Sequence, residues 1–366
     1  VFGSLPESLI NFRGPLLRAM VAAGHEVHAL APPADDTVVA ALAAMGVRYH
    51  AVPLSRTGLN PWRDLVVLYA LLGLFRTLRP DFLLAYTIKP VIYGCLAARM
   101  AGAARCYAMI TGLGYTFAAT GVKGRLVGGL ARCLYRLALR CAERVFFQNP
   151  DNLQLFEKAG LPHRQGQAVL INGSGVDLDY YAPAPLPATP SFLMIARLLR
   201  DKGIVEFAEA ARLVKQRYPD ARFRLAGWMD ANPTAVSKAM LDAWTQEGVI
   251  EYLGHLQDVR PAIADAAVYV LPSYHEGMPR TVLEAMSMGR PVITTAVPGC
   301  RETVIQGQNG LLVPVSDAAA LADAMCFFIE QPEQAAEMGV ASRRLAEARF
   351  DVHQVNHVIL KTMELL

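Results

Sequence analysis

Val268-Tyr-Val-Leu-Pro272-Ser-Tyr-His-Glu276-Gly-Met-Pro279-Arg-Thr-Val-Leu-Glu284-Ala-Met-Ser-Met-Gly289 holds a strand, a loop and the start of a helix in one run. The apolar residues 268–271 read as a buried strand that stops at Pro272. Pro279 suits the first position of a helix, where its missing N–H costs nothing. Glu276 then falls in the loop facing that helix N-terminus, and Glu284 lies inside the helix. Amides around Gly277 and Met278 point at whatever fills the space beyond the strand. A helix start preceded by small residues suits an anion or a polar sugar. An acid there is also favourable on dipole grounds alone, so the glutamate pair by itself reads first as structural.

Outward from this run the same alternation repeats. Short apolar runs at 26–30, 47–52, 82–85, 106–110, 144–147 and 168–171 are separated by helical patterns, and so are those at 192–195, 223–226, 250–253, 268–271, 292–295 and 311–313. Strands that are apolar throughout and alternate with helices imply parallel sheets covered on both faces. Residues 180–190 interrupt the pattern with Pro183, Pro185, Pro187 and Pro190, a run that neither joins a sheet nor continues a helix. The expected fold is therefore α/β, with two doubly wound (Rossmann-like) domains at 1–180 and 190–350 facing across a cleft. Residues 351–366 read as a separate C-terminal helix, able to pack back on the first domain. Ligands of such folds bind at the carboxyl ends of strands, so residues just after strands carry the most weight.

The 366 residues are 53% hydrophobic and only 18% charged, which excludes a disordered chain. A net charge of +3 argues against a dedicated nucleic-acid binder. That total conceals a split: residues 1–185 hold 18 Lys and Arg against 11 Asp and Glu, whereas residues 186–366 hold 17 against 21. The basic excess is concentrated at 121–144, in Lys123, Arg125, Arg132, Arg136, Arg140 and Arg144. The last four recur every four residues and form one helical stripe beside leucines, a pattern suited to an anionic membrane surface. The apolar run 65–75 is too short to span a bilayer and reads as a core helix, with membrane contact the alternative. The opening Val1-Phe2-Gly3-Ser4 has neither the basic region nor the apolar run of a signal peptide, and reads as the end of a truncated first strand. The six cysteines form no Cys-x-x-Cys pair and read as reduced thiols. Together these point to a cytoplasmic protein, peripheral on the inner face of the plasma membrane.

After the strand at 192–195, Arg197 and Lys202 flank a loop that leads through Gly203 into a helix. Two cations at such a place suit a diphosphate as well as they suit a solvated loop. Asp177-Leu-Asp179 and the pair His353 and His357 are weaker metal candidates, and neither a metal nor a cofactor is expected. No Gly-x-Gly-x-x-Gly follows a strand, which disfavours a dehydrogenase.

Taken together these residues resemble the retaining glycosyltransferases of family four, which have the GT-B fold. The resemblance over 190–350 lies in Arg197, Lys202-Gly203, Leu253-Gly254, the glutamates Glu276 and Glu284 separated by seven residues, Gly289-Arg-Pro-Val and Gly310-Leu-Leu. In the first half, Asn11-Phe-Arg13, Thr87-Ile-Lys89-Pro-Val-Ile-Tyr93-Gly94, Thr111-Gly-Leu-Gly-Tyr115 and Gly173-Ser-Gly-Val-Asp177 are similar to one subgroup. Its bacterial members extend a sugar on undecaprenyl diphosphate, N-acetylgalactosaminyltransferases acting on lipid-linked diacetylbacillosamine among them.

The resemblance implies that Arg197 and Lys202 hold the diphosphate of a UDP-sugar and stabilise its departure, with Glu276 as the third catalytic residue, on the sugar hydroxyls. Gly277 and Met278 lie beside Glu276, Glu284 takes the ribose, the uracil lies near His255 and Leu256, and Gly3 and Ser4 approach the diphosphate. Lys89, Tyr93, Thr111 and Tyr115 are the acceptor candidates, and Lys123, Arg125, Arg132, Arg136 and Arg140 the membrane-facing cations. Many members carry a histidine at Thr111 and paired glycines where only Gly3 stands, and a threonine hydroxyl is no base at neutral pH. The implied reaction is metal-independent transfer of a hexosamine, foremost N-acetylgalactosamine in α linkage, to a polyprenyl-diphosphate-linked sugar. A sugar-nucleotide epimerase or hydrolase, and a non-catalytic sugar-nucleotide binder, are the alternatives.

Overall fold

The structure is a computed structural model. It describes residues 1–55, 61–112, 121–161, 164, 166–229 and 234–366, with only the main chain described at position 61 and over 121–127. The chain divides into two compact units, Val1–Ser174 with His353–Leu366, and Gly175–Val352.

In the first unit the strands are β1 (Val27–Ala31), β2 (Val47–Ala51), β3 (Phe82–Tyr86), β4 (Arg105–Ile110), β5 (Ala142–Phe147) and β6 (Ala168–Leu170). β1 pairs with β2, and β3 to β6 pair in chain order, all in parallel. Phe2 bridges Leu30 and Ala85, each in parallel, and so joins the two groups. Its amide donates to Leu84 O at 2.8 Å, Tyr86 N donates to Phe2 O at 3.0 Å, and Gly3 N donates to Leu30 O at 2.9 Å. The leading residues thus act as a short strand between β1 and β3. The chain winds to one side through β1 and β2, then crosses to the other through β3. That reversal creates the topological switch point at which doubly wound sheets bind ligands.

The second unit repeats the plan. β7 (Ser191–Ile195), β8 (Arg222–Ala226), β9 (Glu251–Gly254), β10 (Val268–Leu271), β11 (Val292–Thr295) and β12 (Gly310–Val313) lie in the order β12-β11-β10-β7-β8-β9. The reversal falls between β7 and β10, in register Val268↔Phe192 and Tyr269↔Leu193. Both strands are buried along their whole length, which is why their sequence is apolar at successive positions rather than alternating. All twelve apolar runs form strands, with ends shifted by two residues at most.

Three local expectations need correction. Pro279 is the residue before the helix Arg280–Ser287, not its first residue. The basic helix is Gly121–Cys141, and Arg144 lies beyond it on β5. The run 65–75 belongs to the helix Pro61–Leu78, which buries only one side. Among the described residues no helix is long and apolar enough to cross a membrane.

The division of the chain falls at Ser174, ahead of the prolines. The buried Arg290 guanidinium fastens the proline stretch to the second unit by donating to Ala184 O at 2.6 Å, Pro185 O at 3.0 Å and Ala266 O at 3.1 Å. The helix Val352–Thr362 and the residues after it bury Val355, Ile359, Leu360, Met363 and Leu365 in the same apolar cluster as Leu9, Leu17 and Tyr107 of the first unit.

Candidate active site

At the switch point of the second unit, the loops after β7 and β10 bring Lys202 and Glu276 together. Lys202 Nζ lies 2.6 Å from Glu276 Oε1, with both side chains largely shielded (14% and 16% exposed). Backbone close approach makes this possible. Gly203 adopts φ +76°, and a Cβ there would stand 2.1 Å from Pro272 O. Tyr274 N and Ser273 Oγ both donate to Asp201 O, at 2.8 and 3.2 Å, which ties the two loops. On the far side Glu276 N donates to Pro298 O at 3.2 Å, and a Cβ at Gly299 would fall 2.3 Å from Glu276 O. The pair is therefore positioned by main chain on three sides. A shielded ion pair adds little net stability because desolvation offsets attraction, so its value here is to hold an amine at a fixed place.

Glu284 sits within the helix Arg280–Ser287 and is buried. The Tyr181 hydroxyl donates to its Oε1 at 2.9 Å, and Arg280 Nε lies 2.8 Å from the same oxygen. Burial pushes the Glu284 carboxyl up from its ordinary value, while Arg280 and the Tyr181 hydroxyl pull it back down. Tyr181 is itself held by Ser287 Oγ, which donates to its carbonyl at 2.7 Å. No local motif marks Tyr181, which lies 103 positions from its partner. Arg197 follows β7 by two residues and is half-buried; Gly277 and Met278 are half-buried between Glu276 and the helix. His255 and Leu256 follow β9, and the His255 ring meets Trp228 edge-on at 5.2 Å between centroids. Trp228, 45% exposed just past β8, is an aromatic surface that sequence reading passed over.

The switch point of the first unit holds Gly3 and Ser4. Thr87 Oγ1 donates to Ser4 Oγ at 2.9 Å, and Thr87 takes φ +70°, a strained conformation for a β-branched residue. A Cβ at Gly3 would strike the Tyr86 hydroxyl at 2.2 Å. Two residues on, Lys89 Nζ forms a 2.9 Å ion pair with Asp64 Oδ1, at 13% and 8% side-chain exposure. Tyr93, on the π-helical turn Pro90–Gly94, shares Asp64, and burial together with that carboxylate pushes its hydroxyl up. Such turns concentrate at functional sites. Lys89 and Tyr93 are thus brought together by Asp64, a residue to which the sequence reading gave no part in the site. Thr111 is half-buried just past β4, and Tyr115 lies outside the described residues. Arg132, Arg136 and Arg140 are exposed along the basic helix, as are Leu130 and Leu137; the side chains of Lys123 and Arg125 lie outside the described residues.

Residues 13–173 match the family model described as a glycosyl transferase 4-like domain, and residues 189–331 match glycosyl transferases group 1. The chain belongs to the family-four glycosyltransferases. It is 29% identical, over 88% of its length and 87% of the relative's, to the N,N'-diacetylbacillosaminyl-diphospho-undecaprenol alpha-1,3-N-acetylgalactosaminyltransferase of Campylobacter jejuni. It is 26% identical, over 76% of its length and 74% of the relative's, to the UDP-Gal:alpha-D-GlcNAc-diphosphoundecaprenol alpha-1,3-galactosyltransferase of Escherichia coli. Among solved structures, Anabaena HepE in complex with UDP and glucose superposes with a TM-score of 0.77 over the whole chain and 98% of its own, at 18% identity. That likeness is one of fold, the GT-B arrangement of two α/β units. Both family models describe transferases, so the epimerase and simple-binder alternatives lose their support.

In this glycosyltransferase one of the weaker metal candidates is engaged within its own turn. Asp177 Oδ1 accepts from the amides of Asp179 and Tyr180, at 3.2 and 2.9 Å, and closes a turn. His353 and His357 are exposed on the C-terminal helix. Among the described residues no group of three or more His, Cys, Asp or Glu is placed to hold a metal. Cys95, Cys106 and Cys300 are buried free thiols, while Cys133 is exposed.

Proposed function

We propose that this glycosyltransferase moves a hexosamine, foremost N-acetylgalactosamine, from a UDP-sugar to a sugar carried on a polyprenyl diphosphate, in α linkage and with retention. The observation that carries this reading is the similarity along 88% of the chain to a transferase named for that donor sugar and lipid-linked acceptor. The acceptor hydroxyl oxygen bonds to the anomeric carbon as the bond to the diphosphate breaks. The hydroxyl proton passes to the departing diphosphate oxygen on the same face, so no protein base is required at Thr111. Arg197 and Lys202 stabilise the negative charge that develops on that oxygen, the term most worth preorganising. Glu276 holds Lys202 in place and takes hydroxyls of the donor sugar, near Gly277 and Met278. Glu284 accepts from the ribose, His255 and Leu256 border the uracil, and Gly3 and Ser4 approach the diphosphate.

Lys89, Tyr93, Thr111 and Tyr115 serve the acceptor, whose own diphosphate is matched by the Lys89 ammonium. Lys123, Arg125, Arg132, Arg136 and Arg140 face an anionic membrane, at the inner face of the plasma membrane where such acceptors are held. The test is to offer UDP-sugars with a short polyprenyl-diphosphate sugar and read UDP release, product mass and anomeric configuration. UDP release that requires the acceptor, with an α-linked product, is expected. Free sugar or an epimer formed without acceptor overturns the reading.

A further inference from the structure

The helix Pro61–Leu78 has two opposite faces, and only one is accounted for by the core. Asp64, Val67, Leu71 and Phe75, spaced by three and four, are buried. On the other side Trp62 is 78% exposed, Tyr69 63%, Val66 57% and Leu65 41%. Ala70 and Gly73 continue that exposed side and form one lip of an open groove of about 500 Å³ against β2. The unit's own sheet therefore leaves this side uncovered. Two aromatic and two branched apolar side chains together on one exposed helical face mark an interaction surface rather than ordinary scatter.

Charge identifies the partner. Arg63, Arg76 and Arg79 are exposed around the face, while the one acid between 61 and 80, Asp64, is buried and neutralised by Lys89. Within 61–80 the exposed charges are all cationic. Tryptophan and tyrosine favour the headgroup level of a bilayer, leucine and valine the acyl boundary, and arginine reaches back to anionic headgroups.

We propose that Trp62, Leu65, Val66 and Tyr69 enter the interface of an anionic lipid bilayer and anchor the first unit there, separately from the basic helix. The anchor also gives Asp64 a second role. It stands on the inward face of the immersed helix and holds Lys89 and Tyr93, so the acceptor residues are fixed to the membrane-bound element itself. This second role rests on the proposed lipid-linked acceptor; the anchoring does not.

The full chain is floated with vesicles of phosphatidylethanolamine and phosphatidylglycerol. Wild type co-floats, retains part of that binding in high salt, and shows tryptophan emission quenched by brominated acyl chains. Trp62→Ser with Val66→Ser and Tyr69→Ser lowers partitioning at least about tenfold, while turnover of a short, water-dispersed polyprenyl-diphosphate acceptor is unchanged. Trp62→Phe still floats but loses the bromolipid quenching, which keeps the test decisive even if the triple variant folds poorly. Flotation of the triple variant at the wild-type level, equal binding to purely zwitterionic vesicles, or unquenched wild-type emission would each overturn the anchor. Wild type that floats through this face yet turns over no lipid-linked acceptor would sink the acceptor reading and leave the anchor standing.

Discussion

Lys202, held 2.6 Å from Glu276, already sits where a negative charge is met. On the proposed mechanism, replacing it by alanine removes a preorganised cation from the departing diphosphate, and turnover falls by roughly 10²–10³. Steady-state kinetics on the folded variant check this; a rate within tenfold of wild type would rule out the role. Glu284 yields a prediction in pH. Burial raises its carboxyl above the ordinary value, and the Tyr181 hydroxyl is among the groups that lower it again. A carboxyl raised in the fold loses its charge as pH falls through that raised value, and in its proposed role the uncharged form accepts ribose hydroxyls poorly. In Tyr181→Phe the raising effect grows, so the acid limb of UDP affinity moves to higher pH. Calorimetric titration of UDP across the acid range reads it, and an unmoved limb would disconnect Tyr181 from the ribose site. Glu276 and Lys202 were legible as candidates because each lies in the loop after a strand, and Glu284 because its spacing from Glu276 carries the family resemblance. Tyr181 and Asp64 were not, because each acts through a side chain brought near only by the fold.

Loops and helices carry the next level. The Lys202 loop depends on Gly203, whose φ of +76° and 2.1 Å virtual Cβ approach to Pro272 O leave no room for a side chain. Gly203→Ala forces the loops after β7 and β10 apart, destabilising the second unit by roughly 1–3 kcal/mol and weakening UDP binding with it. Thermal unfolding with and without UDP measures both, and an unchanged midpoint would show that the loops adjust freely. On the basic helix, Arg132→Glu with Arg136→Glu and Arg140→Glu turns three exposed cations into acids. Attraction to an anionic leaflet becomes repulsion, so flotation with phosphatidylglycerol vesicles drops most at low salt. Unchanged flotation would free that helix of any membrane role. Its stripe was visible as a four-residue recurrence of arginines. The apolar face of Pro61–Leu78 was hidden, because a helix with leucine and valine on both sides gives no periodic signal of which side is covered.

At the scale of the molecule, the two units repeat one strand order, to which the first adds β6 at its edge, and they differ in how they are closed. The alternation of buried strands and helices made both sheets readable, and the opening residues, read as the end of a strand, bridge Leu30 and Ala85 through Phe2. The second unit is sealed by local pieces: the bridge between Val176 and Asp351, and Arg290 on the proline stretch. The first borrows its cover from the far end of the chain. Val355, Ile359, Leu360, Met363 and Leu365 are all buried there, and Arg105 Nη1 meets Glu364 Oε2 at 2.8 Å. Each such side chain contributes roughly 1.5–3 kcal/mol by burial, an upper bound for a compact unfolded state. Their sum is on the order of the whole stability of a domain, about 5–15 kcal/mol. Ending the chain after Val352 therefore unfolds the first unit while keeping the Val176–Asp351 bridge of the second. Limited proteolysis should digest 1–174 and spare 175–352, UDP should still bind but less tightly for want of Gly3 and Ser4, and acceptor-dependent turnover should vanish. A truncated chain whose first unit resists protease as wild type does would show that the terminal helix covers the sheet without supporting it.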